Sequence, residues 1–280
     1  MIHLVDRYGI LGDHGQDLCR KIRCGKAKWF KNVEDALLVA HDLIPSMKPR
    51  QFDGQAVVAA TLFVRGLSQA QAALLLCANG MTNETRIVLR SLIELVVYLR
   101  AIHTSKWLMW HYVKQHDRER IRMAGKVSRS DFLQRKLPEF DPAAERTRIR
   151  EELGGAKNGP SLELYSEAAG MKEVYYTAYT VFCGAVHTGA QDLHSHLDAV
   201  TPEELKEIRY GVSDEGIDSL LVTLAELILL SMEPVIDRFS IEEPPELESV
   251  CEEHKRLGRE STEQNQEHKY EFDNHNTAEN

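Results

Sequence analysis

The chain has 280 residues, 43% of them hydrophobic and 28% charged, the composition of a globular protein that buries a sizeable core in one large domain or two small ones. The net charge is −9, but residues 241–280 alone carry 12 Asp/Glu against 4 Lys/Arg, so residues 1–240 are nearly neutral and a general electrostatic attraction to nucleic acid is not expected. Five cysteines, an odd number with no C-x-x-C, argue against a disulfide framework and for a reducing, cytoplasmic setting.

Residues 1–26 read as one short helix at most, and "MIHLVDRYGILGDHG" carries charge too early for a signal peptide. Trp29, Phe30, Val33, Leu37, Ala40 and Ile44 recur at helical spacing, which predicts a helix over 28–44 that ends at Pro45. Asp53 to Ala78 reads as a long Ala/Leu/Val helix closed by Asn79-Gly80, with Thr82 or Asn83 capping the next, which runs to about Ile102. A further helix is predicted from Ser105 to Val127. Residues 128–170 are broken by Pro138, Pro142, Gly154, Gly155, Pro160 and Gly170 into a short helical and loop excursion. The stretch from Lys114 to Arg150 is rich in Arg and Lys and reads as a solvated face with interspersed acids.

Lys172 to Ala199 is predicted as a long helix, and "TPEE" at 201–204 as a helix start, with threonine at the cap, proline first in the helix and acids in the first turn. Asp214 to Phe239 is the last strongly apolar helix; its core run "LLVTLAELILL" is interrupted by Glu226 and too short to span a bilayer. "EEPPE" stops it, and residues 241–280 read as a disordered acidic tail. No alternating strand is evident. The predicted fold is all-α: one domain over 1–240, an antiparallel multi-helix bundle with its core at 28–239.

Two segments carry polar residues that do not fit a plain core. At about 100° per residue, Leu89, Leu92, Ile93, Val96 and Leu99 share one face of their helix, and Arg86, Arg90, Glu94 and Val97 follow one another along its border. Arg90 and Glu94 are four apart and can pair. Charges on the edge of a buried face must be paired or hydrogen-bonded. In the second segment His187, Gln191, His194 and Asp198 lie on one helical stripe. His187 and His194 would stand about 10 Å apart along the axis, too far to share an ion. The pair His194 and Asp198 is too small a ligand set to argue for a metal. No cofactor or metal is predicted. No P-loop, dinucleotide fingerprint, nucleophile elbow or H-E-x-x-H occurs.

The "RSLIE" from Arg90 to Glu94, followed by "YTVFCGAVHTG" from Tyr179 to Gly189, resembles an uncharacterised bacterial family of helical proteins of unknown function. That family pairs R-x-x-x-E on one helix with Y-R-x-x-S-x-x-V-H-x-S on a later one. The resemblance covers about Gln55 to Leu197. The family in turn looks like the HEPN superfamily (higher-eukaryote and prokaryote nucleotide-binding). Those helical bundles often hold a metal-independent RNA-cleaving site and act in toxin–antitoxin or phage-defence systems. The resemblance implies that His187 is the motif histidine, Tyr179 the motif tyrosine, and Arg90 and Glu94 the upstream pair. Cys183 stands where serine is usual. Thr180 stands where the motif has arginine, so the nuclease signature is incomplete unless Arg86 or Arg90 supplies the charge.

Two expectations follow. In the first, slightly favoured, the chain is a non-catalytic binding or interaction module. Arg90, Glu94 and His187 then form a polar network between two helices. In the second the chain is a metal-independent endoribonuclease. His187 then takes the 2′-hydroxyl proton, Arg90 and Arg86 stabilise the phosphorane charge, Glu94 holds Arg90 or orients His187, and the basic stretch guides the RNA. Partners are expected to be RNA or a protein, with no membrane. The small-residue faces "AVVAAT" and "AQAALLLCA" suggest a homodimer.

Overall fold

In a computed structural model, residues 11–50, 52–154, 159–186, 197–201, 204–208 and 212–278 are described. The helices are α1 (Asp13–Gly25), α2 (Ala27–Asp42), α3 (Gly54–Ala78), α4 (Thr82–Thr104), α5 (Lys106–Val113), α6 (Gln115–Val127), α7 (Asp131–Lys136), α8 (Pro142–Glu152) and α9 (Leu162–Ala168). They continue as α10 (Lys172–Val174), a π-helical turn (Tyr175–Tyr179), α11 (Thr180–Val186), α12 (Ile217–Phe239) and α13 (Pro245–Ala278). The architecture is an all-α multi-helix bundle. Its centre is α12, packed against α2, α3 and α4.

The α3–α4 hairpin shows how local sequence sets the frame. The Asp53 carboxylate accepts the Ala56 N–H at 3.1 Å and caps α3. At the other end Gly80 takes a left-handed φ of 68°, and the Gly80 and Met81 N–H groups close on the carbonyls of Cys77 and Leu76. A short connection of this kind makes α3 and α4 antiparallel neighbours. They approach closely: a Cβ on Gly66 would lie 3.0 Å from Leu95. Neither Thr82 nor Asn83 caps α4; Met81 takes that place without a side-chain bond.

Leu89, Leu92, Ile93, Val96 and Leu99 are all buried, as their spacing predicts. The apolar helix through Phe239 forms despite Pro234. Of the α3 alanines, Ala56, Ala59, Ala70 and Ala73 are buried, while Ala72 and the apolar Val57, Val64 and Leu75 of the same helix are exposed. By length and composition α3 and α12 are each long and apolar enough to cross a membrane, contrary to the reading of "LLVTLAELILL". In this fold 56% of the most apolar window of α12 is buried by protein, and its apolarity serves the core.

Three further expectations are corrected. The helix over 105–127 is two helices that meet at Lys114. The stretch after α11 holds an antiparallel hairpin, β1 (Leu197–Thr201) with β2 (Glu204–Ile208), in which Leu197 pairs with Ile208 and Thr201 with Glu204. Thr201 and Glu204, the two ends of "TPEE", are therefore paired strand residues and start no helix; residues 202–203 lie outside the described residues.

The third concerns residues 241–280. Pro245–Ala278 is helical, and its first half is packed: Leu247, Val250 and Leu257 join the main core and Ser261 is buried. Those four positions lie on one helical stripe, too sparse in apolar residues to register against an acidic background. The buried Asp218 carboxylate of α12 accepts from Ser261 Oγ at 2.9 Å and meets Lys26 Nζ at 3.5 Å, tying α13 to the start of α2.

Candidate functional site

The border stripe of α4 becomes a site because α11 and the π turn lie across it. Arg90 and Glu94 are one turn apart, and Arg90 Nη2 stands 3.0 Å from Glu94 Oε1. Tyr179, the last residue of the π turn, joins them. Its hydroxyl accepts from Arg90 Nη2 at 2.9 Å and donates to Glu94 Oε1 at 2.8 Å. Arg90 Nε donates to Cys183 Sγ at 3.3 Å, one turn further along α11. The guanidinium also lies 5.0 Å from the centre of the Tyr179 ring. The side chains of Arg90 and Glu94 are 22% and 30% exposed, so the clasp is partly withdrawn from water and open on one side.

Its electrostatics follow from the bonding. Burial, with the hydrogen bond to the Glu94 carboxylate, pushes the Tyr179 hydroxyl well above the ordinary phenol value. Desolvation works against the Arg90 charge, but the bond to Cys183 and the charge of Glu94 more than offset it. The cluster is one cation and one anion bridged by a neutral phenol. The Tyr179 hydroxyl donates its single proton to Glu94.

The π turn sets the spacing. A π segment adds a residue within a helical turn and recurs at functional places. Here Tyr175 is stacked over Tyr179 with ring centres 5.2 Å apart. Thr180, at the place of the motif arginine, is exposed and donates its hydroxyl to the Tyr175 carbonyl at 3.0 Å, five residues back. No arginine is supplied from that position. Arg86, one turn before Arg90, donates to Asn83 Oδ1 at 2.8 Å and has no bond to the clasp.

Of the predicted site residues, then, the fold brings Arg90 and Glu94 together and leaves Arg86 to one side. His187, His194 and the rest of 187–196 lie outside the described residues. Tyr179 and Cys183, known beforehand only as motif positions, are the residues that meet the α4 pair. A tyrosine and a small polarizable residue four apart, facing an i, i+4 ion pair, were the available signal. Among the described residues no group of three or more His, Cys, Asp or Glu is placed to hold a metal ion.

A second polar feature continues the same edge of α4. Tyr98, one turn past Glu94, receives a hydrogen bond from Gln115 at 3.3 Å and packs against Tyr112 and Tyr165. It lines a cleft of about 290 Å³ with Arg118, Arg122 and Gly159. A larger surface hollow of about 490 Å³, on α8 at Thr147, Arg150, Glu151 and Gly154, shares no residue with the clasp.

Residues 56–204 match the model of DUF5677, a family of unknown function. The match covers more than half of the chain, and the protein belongs to that family. It runs from α3 into β2 and contains all four clasp residues; α1, α2, α12 and α13 fall outside it. No curated protein and no solved structure matches the chain.

Proposed function

We propose that this DUF5677 member is a non-catalytic binding or interaction module of the defence or toxin type, in which the Arg90–Glu94–Tyr179 clasp holds α11 on α4. One observation supports this reading above others: the functional groups of the clasp are turned on one another. The Tyr179 hydroxyl is used as donor and acceptor at once, and the Arg90 charge is balanced by Glu94. A closed, charge-balanced network rigidifies the helices that carry it. It fixes the path of the chain into the segment that contains His187, where RNA or a partner protein would be met.

A second reading is a metal-independent endoribonuclease. In sequence His187 directly follows the last residue of α11 and lies four residues after the Cys183 that meets Arg90. In this reading His187 takes the proton of the attacking hydroxyl, Arg90 leaves Glu94 for the phosphorane, and Arg86 adds charge.

One experiment separates the two. Purified protein and its His187→Ala variant are incubated with RNA in the presence of a chelator, and the melting temperatures of both and of a Glu94→Ala variant are recorded. The module reading expects no cleavage by either protein and, for Glu94→Ala, a lower melting temperature. Cleavage by the wild type that His187→Ala abolishes without loss of stability overturns it in favour of the nuclease.

A further inference from the structure

The cleft beside Tyr98 has the makings of an anion site that is independent of the clasp reading. Arg118, on α6, lines it. Its Nη1 donates to the His111 carbonyl at 3.0 Å and its Nη2 to His111 Nδ1 at 2.9 Å. The second bond requires Nδ1 to be a lone-pair acceptor, so His111 is neutral there and offers no counter-charge. Among the described residues no carboxylate bridges Arg118, and its buried Nε has no partner.

The other arginines of α6 are matched: Arg120 pairs with Glu145 and Asp117, and Arg122 with Glu119. Arg118 is thus a half-buried guanidinium held in place by neutral groups, a cation without its anion. Desolvated charges of this kind are costly unless paired.

The surroundings fit the same need. Gly159 is pressed so closely on the guanidinium that an added Cβ would lie 2.6 Å from Nη1. The Tyr98 hydroxyl accepts from Gln115 and keeps its own proton for a further acceptor. The cleft holds two guanidiniums and one carboxylate, Glu119, which is already engaged by Arg122. A volume of about 290 Å³ is at the small end of ligand pockets.

We propose that this cleft, between α4, α6 and the Gly159–Pro160 segment, binds a small phosphate-bearing molecule or free phosphate through Arg118 and the Tyr98 hydroxyl. The planar fork of arginine recognises such oxyanions by paired N–H donors, and a tyrosine proton supplies a third direction that an ester or free phosphate oxygen can meet.

The test is a thermal-shift and calorimetric titration of the full chain with inorganic phosphate, at ionic strength held constant with chloride. A saturable rise in melting temperature is expected, reaching roughly 5–10 °C once phosphate is about a hundredfold above its dissociation constant. Arg118→Gln, checked for folding by circular dichroism, abolishes it, and Tyr98→Phe weakens binding about tenfold. If Arg118→Gln does not fold, Arg118→Lys takes its place and is expected to bind at least about tenfold more weakly, the point charge lacking the fork. Glycerol phosphate binding as tightly as phosphate identifies an ester ligand, and markedly weaker binding identifies free phosphate. No saturable response in the wild type, equal affinity in the folded Arg118 variant, or equal affinity for acetate overturns the proposal. Because none of these residues belongs to the clasp, failure here leaves the reading of Arg90, Glu94 and Tyr179 untouched.

Discussion

At the scale of single residues the clasp is a competition between burial and pairing. Arg90 and Glu94 are each less than one third exposed, so their interaction exceeds that of a surface pair and falls short of a fully buried one. Glu94→Ala leaves Arg90 and the Tyr179 proton without their acceptor and is expected to cost about 1–3 kcal/mol, read by urea unfolding. Glu94→Gln, which keeps one acceptor oxygen, should recover part of that loss; equal loss in both variants would argue that only the charge matters. Two partly buried imidazoles give a pH signature. Burial, then the neighbouring Lys255, lowers the pKa of His254 below its ordinary value of 6.5, and burial, then Arg118, lowers that of His111. A depressed folded value means that the unfolded chain takes up the proton first as pH falls. Their contribution is therefore present above 6.5 and is lost progressively as pH drops below it. Stability measured between pH 7.5 and pH 5 should fall, and His254→Gln should flatten the curve.

The residue types were legible before the fold; their grouping was not. Arg90 and Glu94 share a helix, so periodicity alone places them side by side. Tyr179 lies 85 residues from Glu94, and no spacing rule reaches that far. The same holds for Arg100, whose Nε donates to the Ala169 carbonyl at 3.0 Å and Nη1 to the Leu230 carbonyl at 2.9 Å, knitting α4 to α9 and α12. In sequence it is one more arginine on a helix edge.

Among the elements, the C-terminal helix is where composition misleads. Its acidic character is real, yet four inward positions suffice to dock it. Leu257 is 1% exposed, and Leu257→Ala should cost about 2–5 kcal/mol. Deleting residues 241–280 should destabilise the remaining bundle by more than that; a truncated chain with an unchanged melting temperature would restore the picture of a dispensable tail. Helix α5 and the excursion helices α7, α8 and α9, by contrast, announce their starts. Ser105, Ser130, Asp141 and Ser161 each accept a backbone N–H at the first turn of α5, α7, α8 and α9. Polar caps followed by helix formers are local signals that need no tertiary partner. The break between α5 and α6 has no such signal, and the pairing of 197–201 with 204–208 shows no alternating apolar pattern in sequence.

For the whole molecule, the cores are unequal. One cluster runs through α2, α3, α4, α9, α12 and α13. Ala124, Val127, Ile149 and Leu153 are buried but stand apart from it, forming a small separate core where α6 meets α8. A cluster of four side chains stabilises little by itself, so α6–α8 should open below the global unfolding transition. Native-state hydrogen exchange is expected to show amides of α6 and α8 exchanging at low denaturant while α4 and α12 remain protected until the bundle unfolds. Uniform protection across both regions would show that the excursion is coupled more tightly than its packing indicates.

The division between sequence and fold follows the range of the forces. Sequence by itself determined the helical class, the inward faces of α2 and α4, and the pairing of Arg90 with Glu94, because hydrophobic periodicity and i, i+4 contact act within a few turns. Only the tertiary structure decided that Tyr179 and Cys183 close on that pair, that Arg118 is left without an anion, and that an acidic helix belongs to the core. Those outcomes depend on which remote surfaces exclude water from one another, and that is a property of the packed chain.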